Sequence, residues 1–101
     1  MEYGAHLPLI DFGSGNSLRG LKAYARAASA FGYRYLCAND HLLFSGPWLD
    51  GPTALAAVIE ESGDLTLATT VALPVVRGPA QLAKALTAID VLSEGRLVVG
   101  V

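Results

Sequence analysis

The close of this sequence constrains its fold more than any other part. Pro79-Ala80-Gln81-Leu82-Ala83-Lys84 opens a helix, and Asp90-Val91-Leu92-Ser93-Glu94-Gly95-Arg96 ends it in a tight glycine turn. Leu97-Val98-Val99-Gly100-Val101 then reads as a strand that is apolar throughout. A strand without hydrophobic–polar alternation suits a parallel sheet covered by helices. Such a strand is rarely the last element of a complete domain. The ending therefore predicts a repeating βα architecture, and only part of one.

The rest of the chain keeps that rhythm. Residues 2–9 read as a first strand, with Pro8 near its end because a proline cannot donate to a ladder. Residues 11–17 form a loop in which Asn16 or Ser17 caps the next helix. That helix covers about residues 18–31, with Leu21, Ala25, Ala28 and Phe31 on one face, and Gly32 stops it. Residues 34–38 give a second strand running into Asn39-Asp40-His41. Pro52 opens a second helix that ends near Gly63, residues 65–71 give a third strand, and Leu73–Gly78 reads as a loop. The third helix buries Leu82, Leu86 and Ile89. This βαβαβαβ order with short connections implies parallel strands and right-handed crossovers. A doubly wound sheet and half of an eight-stranded barrel both satisfy it.

Composition narrows the function. Of 101 residues, 52% are hydrophobic and only 16% charged, so apolar surface is left for a partner or for further sequence to cover. A net charge of −2, with seven scattered Lys and Arg, speaks against nucleic acid. No run approaches the roughly 18 apolar residues of a spanning helix, so no membrane partner is expected. The single Cys37 cannot form an internal disulfide and suits a reducing cytoplasm.

Chemistry is expected where strands end, because barrels place it on the loops that follow them. Asn39-Asp40-His41 puts three polar residues at the end of an apolar strand. There the imidazole of His41 can transfer a proton, and Asp40 can orient it or accept a hydrogen bond from a ligand. The plainer reading has Asp40 capping the turn with His41 packed over it. His6 shares a face of the first strand with Gly4 and Pro8, opposite Ala5, Leu7 and Leu9, which points it toward a barrel interior. His6, Asp40 and His41 lack a further ligand at suitable spacing, so no metal is expected. Gly13-Ser14-Gly15 does not complete a dinucleotide loop, since Leu18 stands where the third glycine belongs. Trp48 either roofs a pocket or packs on the second helix. Asp90 has a structural role, pairing with Arg96 or capping the Ser93–Gly95 turn.

Together these residues resemble the luciferase-like monooxygenase family, (β/α)8-barrel oxidoreductases that use FMN or its deazaflavin counterpart, coenzyme F420. Asn39-Asp40-His41-Leu42 looks like the family's Asp-His at the end of strand two. Leu67-Ala68-Thr69-Thr70-Val71-Ala72-Leu73-Pro74 is similar to its strand-three ending, and Pro79 to Val101 follows its pattern across helix, turn and strand. The resemblance implies an α/β fold: the first half of a TIM (β/α)8 barrel with parallel strands, residues 1–101 being one incomplete domain. It implies that Asp40 and His41 lie beside the cofactor ring as catalytic residues, His41 binding substrate or transferring a proton. It implies that Thr70 and Val71 flank a non-prolyl cis peptide supporting the ring. His6 joins Asp40, Thr70 and Val71 as a cofactor-binding residue. The expected activity is hydride transfer or oxygen activation with a small organic substrate, and Asp-His after Asn39 leans toward deazaflavin. The loops that hold the cofactor phosphate in such barrels follow later strands, so this stretch alone is expected to be inactive. Open strand edges imply a homo-oligomer or a missing C-terminal half. A noncatalytic half-barrel binding a small ligand or a partner protein is the alternative.

Overall fold

Four parallel strands lie in sequence order, β1 (Gly4–His6), β2 (Tyr35–Ala38), β3 (Thr66–Thr69) and β4 (Leu97–Val99), in a computed structural model that describes residues 1–101. Between them run α1 (Leu18–Ala30), α2 (Gly51–Ala57), α3 (Pro74–Arg77) and α4 (Pro79–Leu92). Strands that pair only with their sequence neighbours, all parallel, make the start of a barrel wall. A doubly wound sheet would reverse its order somewhere.

Alternation along each strand separates two faces. Register sets Ala5 beside Leu36 and Leu36 beside Leu67, then Leu67 beside Leu97, and these residues face the helices. They join Leu21 and Ala25 of α1, Leu55 of α2 and Leu82, Leu86 and Ile89 of α4 in one hydrophobic core. The opposite face carries Gly4 and His6, Cys37, Ala68 and Val98, mostly small residues. His6 thus stands on the face the strand pattern assigned to it, with Ala5, Leu7 and Leu9 buried behind. Cys37 does not lie open to water: it is buried between β1 and β3, and burial pushes its thiol pKa up. A thiol held protonated there is a small hydrophobe.

The bounds of α1 and α4 follow the sequence reading, and those of α2 depart from it. Ser17 caps α1, its hydroxyl accepting from Gly20 N at 3.0 Å. Asp50, not Pro52, starts α2 by accepting from the Thr53 N–H at 3.0 Å. Regular helix then stops at Ala57 and passes into turns well before Gly63. Arg96 exploits this early ending, donating to the carbonyls of Ile59 and Leu65 and to the Ser62 hydroxyl. It makes no pair with Asp90, whose carboxylate accepts from Leu97 N instead. Residues 73–78 are not plain loop: Pro74–Arg77 forms one helical turn, closed by Arg77 N to Leu73 O at 3.0 Å.

The first strand is shorter than residues 2–9 because its partner turns away. Leu7 N still reaches Cys37 O at 2.8 Å, but beyond Pro8 the chain pairs with a different segment. Leu49 N donates to Leu9 O, Asp11 N donates to Pro47 O, and Ile10 bridges Trp48 in antiparallel fashion. The rim of the sheet therefore has a second layer, made by the loops after β1 and β2.

Candidate functional site

Parallel strands bring all their carboxyl ends to one edge, and there the candidate residues collect. His6 ends β1, Asp40 and His41 follow β2, and Thr70 and Val71 follow β3. Register pairs His6 with Cys37 and Cys37 with Ala68, and Thr70 comes two residues after Ala68, just past the end of β3. His6 Nε2 and Thr70 Oγ1 are 3.3 Å apart. Strands two apart in a flat sheet are separated by about 9.5 Å. Such a contact across β2 requires the sheet to curl toward this face, as a barrel wall does, and small residues beneath permit it.

The Thr70–Val71 peptide is cis, as the resemblance implies. Both side chains are exposed, Val71 at 46%. Gly100 sits close beside them: a Cβ there would lie 2.6 Å from Thr69 O and 3.3 Å from Val71 Cγ1. Gly100 N donates to Thr69 Oγ1 and Ala72 N donates to Gly100 O, which ties β4 to the bend after β3.

Asp40 and His41 part company. His41 is exposed at the rim and its ring meets two aromatics, Trp48 edge-on at 4.3 Å and Phe44 at 5.3 Å between centroids. Phe44 also packs on Trp48 at 4.7 Å. Trp48 thus roofs the rim through His41 while packing on the core, and its indole N–H is buried without an acceptor. Asp40 does not orient His41. It is 5% exposed, and its carboxylate accepts from Leu73 N at 3.1 Å and from Arg77 Nε and Nη2 at 2.6 and 2.5 Å. A carboxylate this buried requires a charge partner, and Arg77 supplies the bidentate one that guanidinium geometry favours.

Arg77 also donates through Nη2 to Asp50, the cap of α2. Held between two carboxylates, its guanidinium pKa is pushed above the usual arginine range, first by the Asp40 hydrogen bonds. Burial alone would raise the Asp50 carboxyl, but the Thr53 hydroxyl, Arg77 and the Thr53 N–H together hold it below its ordinary value. Neither residue stands out as a site residue in the sequence. Their only signals were a lone basic residue after Val75-Val76 and an Asp just before a Gly-Pro helix start.

The Gly13-Ser14-Gly15 loop is closed on itself. Asp11 accepts from Gly13 N and Gly15 N at 2.8 and 2.9 Å, so those N–H groups are not free for a phosphate. On the helix side, a groove of about 530 Å³ runs between α2 and α4, with Arg77 and Asp50 at one end and Ala85 and Ile89 along it.

The chain is similar to known proteins in sequence and in fold. An F420-dependent hydroxymycolic acid dehydrogenase from Mycobacterium tuberculosis is 34% identical over 88 residues, which cover 79% of this chain and 24% of that protein. The structure of the monooxygenase RslO1 from Streptomyces bottropensis matches 99% of the chain with a TM-score of 0.83 and 28% identity, over 32% of its own length. The oxygenating constituent of 3,6-diketocamphane monooxygenase from the CAM plasmid of Pseudomonas putida, solved in complex with FMN, shares the fold, with a TM-score of 0.82 and 22% identity. The chain spans between about a quarter and a third of the length of these relatives. Their common architecture makes this sheet half of a TIM-barrel wall. The family model for luciferase-like monooxygenases matches residues 5–101, and the chain belongs to that family.

Proposed function

We propose that this chain supplies the ring-binding half of a flavin- or deazaflavin-dependent oxidoreductase acting on a small organic substrate. The observation that carries the reading is the rim itself. A polar pair, His6 and Thr70, meets across β2 above Cys37, with the Val71 side chain exposed beside it and the exposed His41 at the end of β2. This surface fits a flat heterocycle with one apolar face and a polar edge. A bulky or charged strand face would not.

Bound there, FMN or F420 would supply a two-electron hydride donor or acceptor, and reduced FMN would also react with oxygen. The residues of this chain do the rest. Thr70 and Val71 support the ring, and His6 with the Thr70 hydroxyl offers hydrogen bonds to its edge. His41 binds substrate and moves a proton at an imidazole nitrogen. Trp48 and Phe44 fix the tilt of that imidazole and keep water from one side of it. Asp40 bonds Leu73 N and Arg77 and makes no hydrogen bond to His41, so it takes the supporting role argued below. The F420-dependent relative at 34% identity supports deazaflavin as the first cofactor to try.

The open edges of β1 and β4 are covered by further strands of the same chain or by a second copy. The lone thiol supports a reducing cytoplasm as the compartment, and no helix is long and apolar enough to cross a membrane. The test is a titration of the full-length protein with F420 and with FMN, read by quenching of ring fluorescence. Saturable binding of one of them in the micromolar range supports the proposal. Failure of both to bind, in a protein that melts cooperatively, overturns it.

A further inference from the structure

We infer that Arg77 is a positioning residue for the ring-binding rim, holding the segment after β3 against the end of β2 through Asp40. The inference rests on the function proposed above, and it adds a role for a residue that touches neither ring nor substrate. Thr70 and Val71 belong to a stretch that leaves the sheet at Thr69, and beyond Leu73 that stretch becomes the single turn of α3. A four-residue helix has almost no stability of its own, because helix nucleation is unfavourable. Backbone hydrogen bonds from Thr70 N to Ala38 O and from Ala72 N to Gly100 O hold the near end of the stretch, and something else must hold its far end.

The Asp40 carboxylate does so from both sides of α3. Its Oδ2 accepts the Leu73 N–H at 3.1 Å just before the turn and Arg77 Nε at 2.6 Å at its end, while Oδ1 takes Arg77 Nη2 at 2.5 Å. One buried group thus closes a ring from β2 across to both ends of the turn. Arg77 carries the connection onward to Asp50, which caps α2 through the Thr53 N–H and hydroxyl. The side chains of Asp40 and Arg77 are 2% and 16% exposed, so water does not replace these bonds. On the strand side Thr70 N donates to Ala38 O at 2.8 Å and Ala72 N to Gly100 O at 2.8 Å, while His6 is the side chain that meets the Thr70 hydroxyl. Loosening the clamp therefore moves the Thr70 hydroxyl away from His6 and tilts the Val71 surface. Displacements of about 1 Å at a reacting site are worth up to about a hundredfold.

The experiment compares Arg77→Met with Leu86→Ala, a core substitution in α4 far from the rim, in the full chain. Two readouts are used: F420 and FMN affinity by fluorescence quenching, and the His6 ring resonances of the ligand-free protein. His6→Ala and His41→Ala assign those resonances by the signals that each removes. The expected result is that Arg77→Met shifts the His6 resonances and weakens ring binding about tenfold or more. Leu86→Ala, lowering the melting temperature at least as much, leaves the His6 resonances in place and affinity within about twofold. Arg77→Lys keeps the charge and loses the planar fork, so it gives a smaller change of the same sign and serves if the methionine variant does not fold. His6 resonances that stay unchanged in both Arg77 variants overturn the inference. So does an affinity loss in Arg77→Met no larger than that in Leu86→Ala. If the wild-type protein binds neither ring, the proposed function fails, and the His6 resonances alone still decide whether Arg77 positions this rim.

Discussion

Two adjacent polar residues at the end of β2 have opposite fates, and the reason is burial. Asp40 alternates onto the enclosed side, where an unpaired carboxylate is untenable, and finds Arg77 at a separation of 37 residues. Nothing local in the sequence shows such a partner. The polar triplet told that the rim mattered, not which of its members was free. His41 emerges as the free one, and if the proposed oxidoreductase function holds, its replacement by alanine should lower turnover by about two to four orders of magnitude, with ring affinity changed far less. Equal turnover in His41→Ala would remove the imidazole from the chemistry. The Asp40–Arg77 pair makes a separate prediction about stability. Arg77→Met leaves a buried carboxylate uncompensated and should destabilise by about 3 kcal/mol. Adding Asp40→Asn removes the stranded charge while keeping an acceptor for Leu73 N, so the double variant should be more stable than Arg77→Met alone. Chemical denaturation measures both, and a double variant less stable than the single contradicts the account of a charge in need of its partner.

The elements were legible to the extent that they are periodic. The α1 stripe of Leu21, Ala25 and Ala28, the buried positions of α4 and the two faces of β1 follow from spacing of 3.6 or 2 residues, whereas Phe31, expected on that stripe, caps the helix end and is 82% exposed. The early end of α2, the turn of α3 and the antiparallel contact of residues 9–11 with 47–49 were not. Each depends on a distant group: Arg96 accommodates the first, Asp40 the second, the other rim loop the third. Two element-level predictions follow from close approaches and charge. A Cβ on Gly51 would lie 2.3 Å from Asn39 O, so Gly51→Ala should destabilise by about 2 kcal/mol, whereas Gly46, with open space around it, should accept alanine without loss. Similar melting of both variants would contradict this packing of α2 against the β2 rim. Asp50 is held below its ordinary carboxyl range in the native state. Its contribution is complete above about pH 4 and is lost as pH falls through the lowered native value. Stability measured from pH 6 to pH 2 should therefore fall less steeply in Asp50→Asn, which retains a capping side chain, than in the wild type. An unchanged slope would show that Asp50 is not coupled to the clamp.

At the scale of the whole molecule, the sequence told the architecture through one wholly apolar strand and a steady βα alternation, and the structure adds the curl that His6 and Thr70 record. It also shows what the wall leaves uncovered. β1 and β4 each have one neighbour, and Tyr3, Val98, Val99 and Val101 are exposed on or beside those edges. Unpaired strand edges with apolar side chains recruit partners. A chain of residues 1–101 should therefore associate, burying well over about 1,000 Å² in a dimer. Light scattering that finds a monodisperse monomer at high concentration would show the edges to be self-sufficient. The central claim is narrower: the carboxyl ends of β1 to β3 receive a flavin or deazaflavin ring. A crystal structure of the full-length protein with F420 or FMN tests it most directly. The account predicts the ring against Val71, its edge within hydrogen-bond reach of His6 or Thr70, with His41 facing the open side. A ring seated in the groove between α2 and α4, or anywhere else on the helix face, would contradict it.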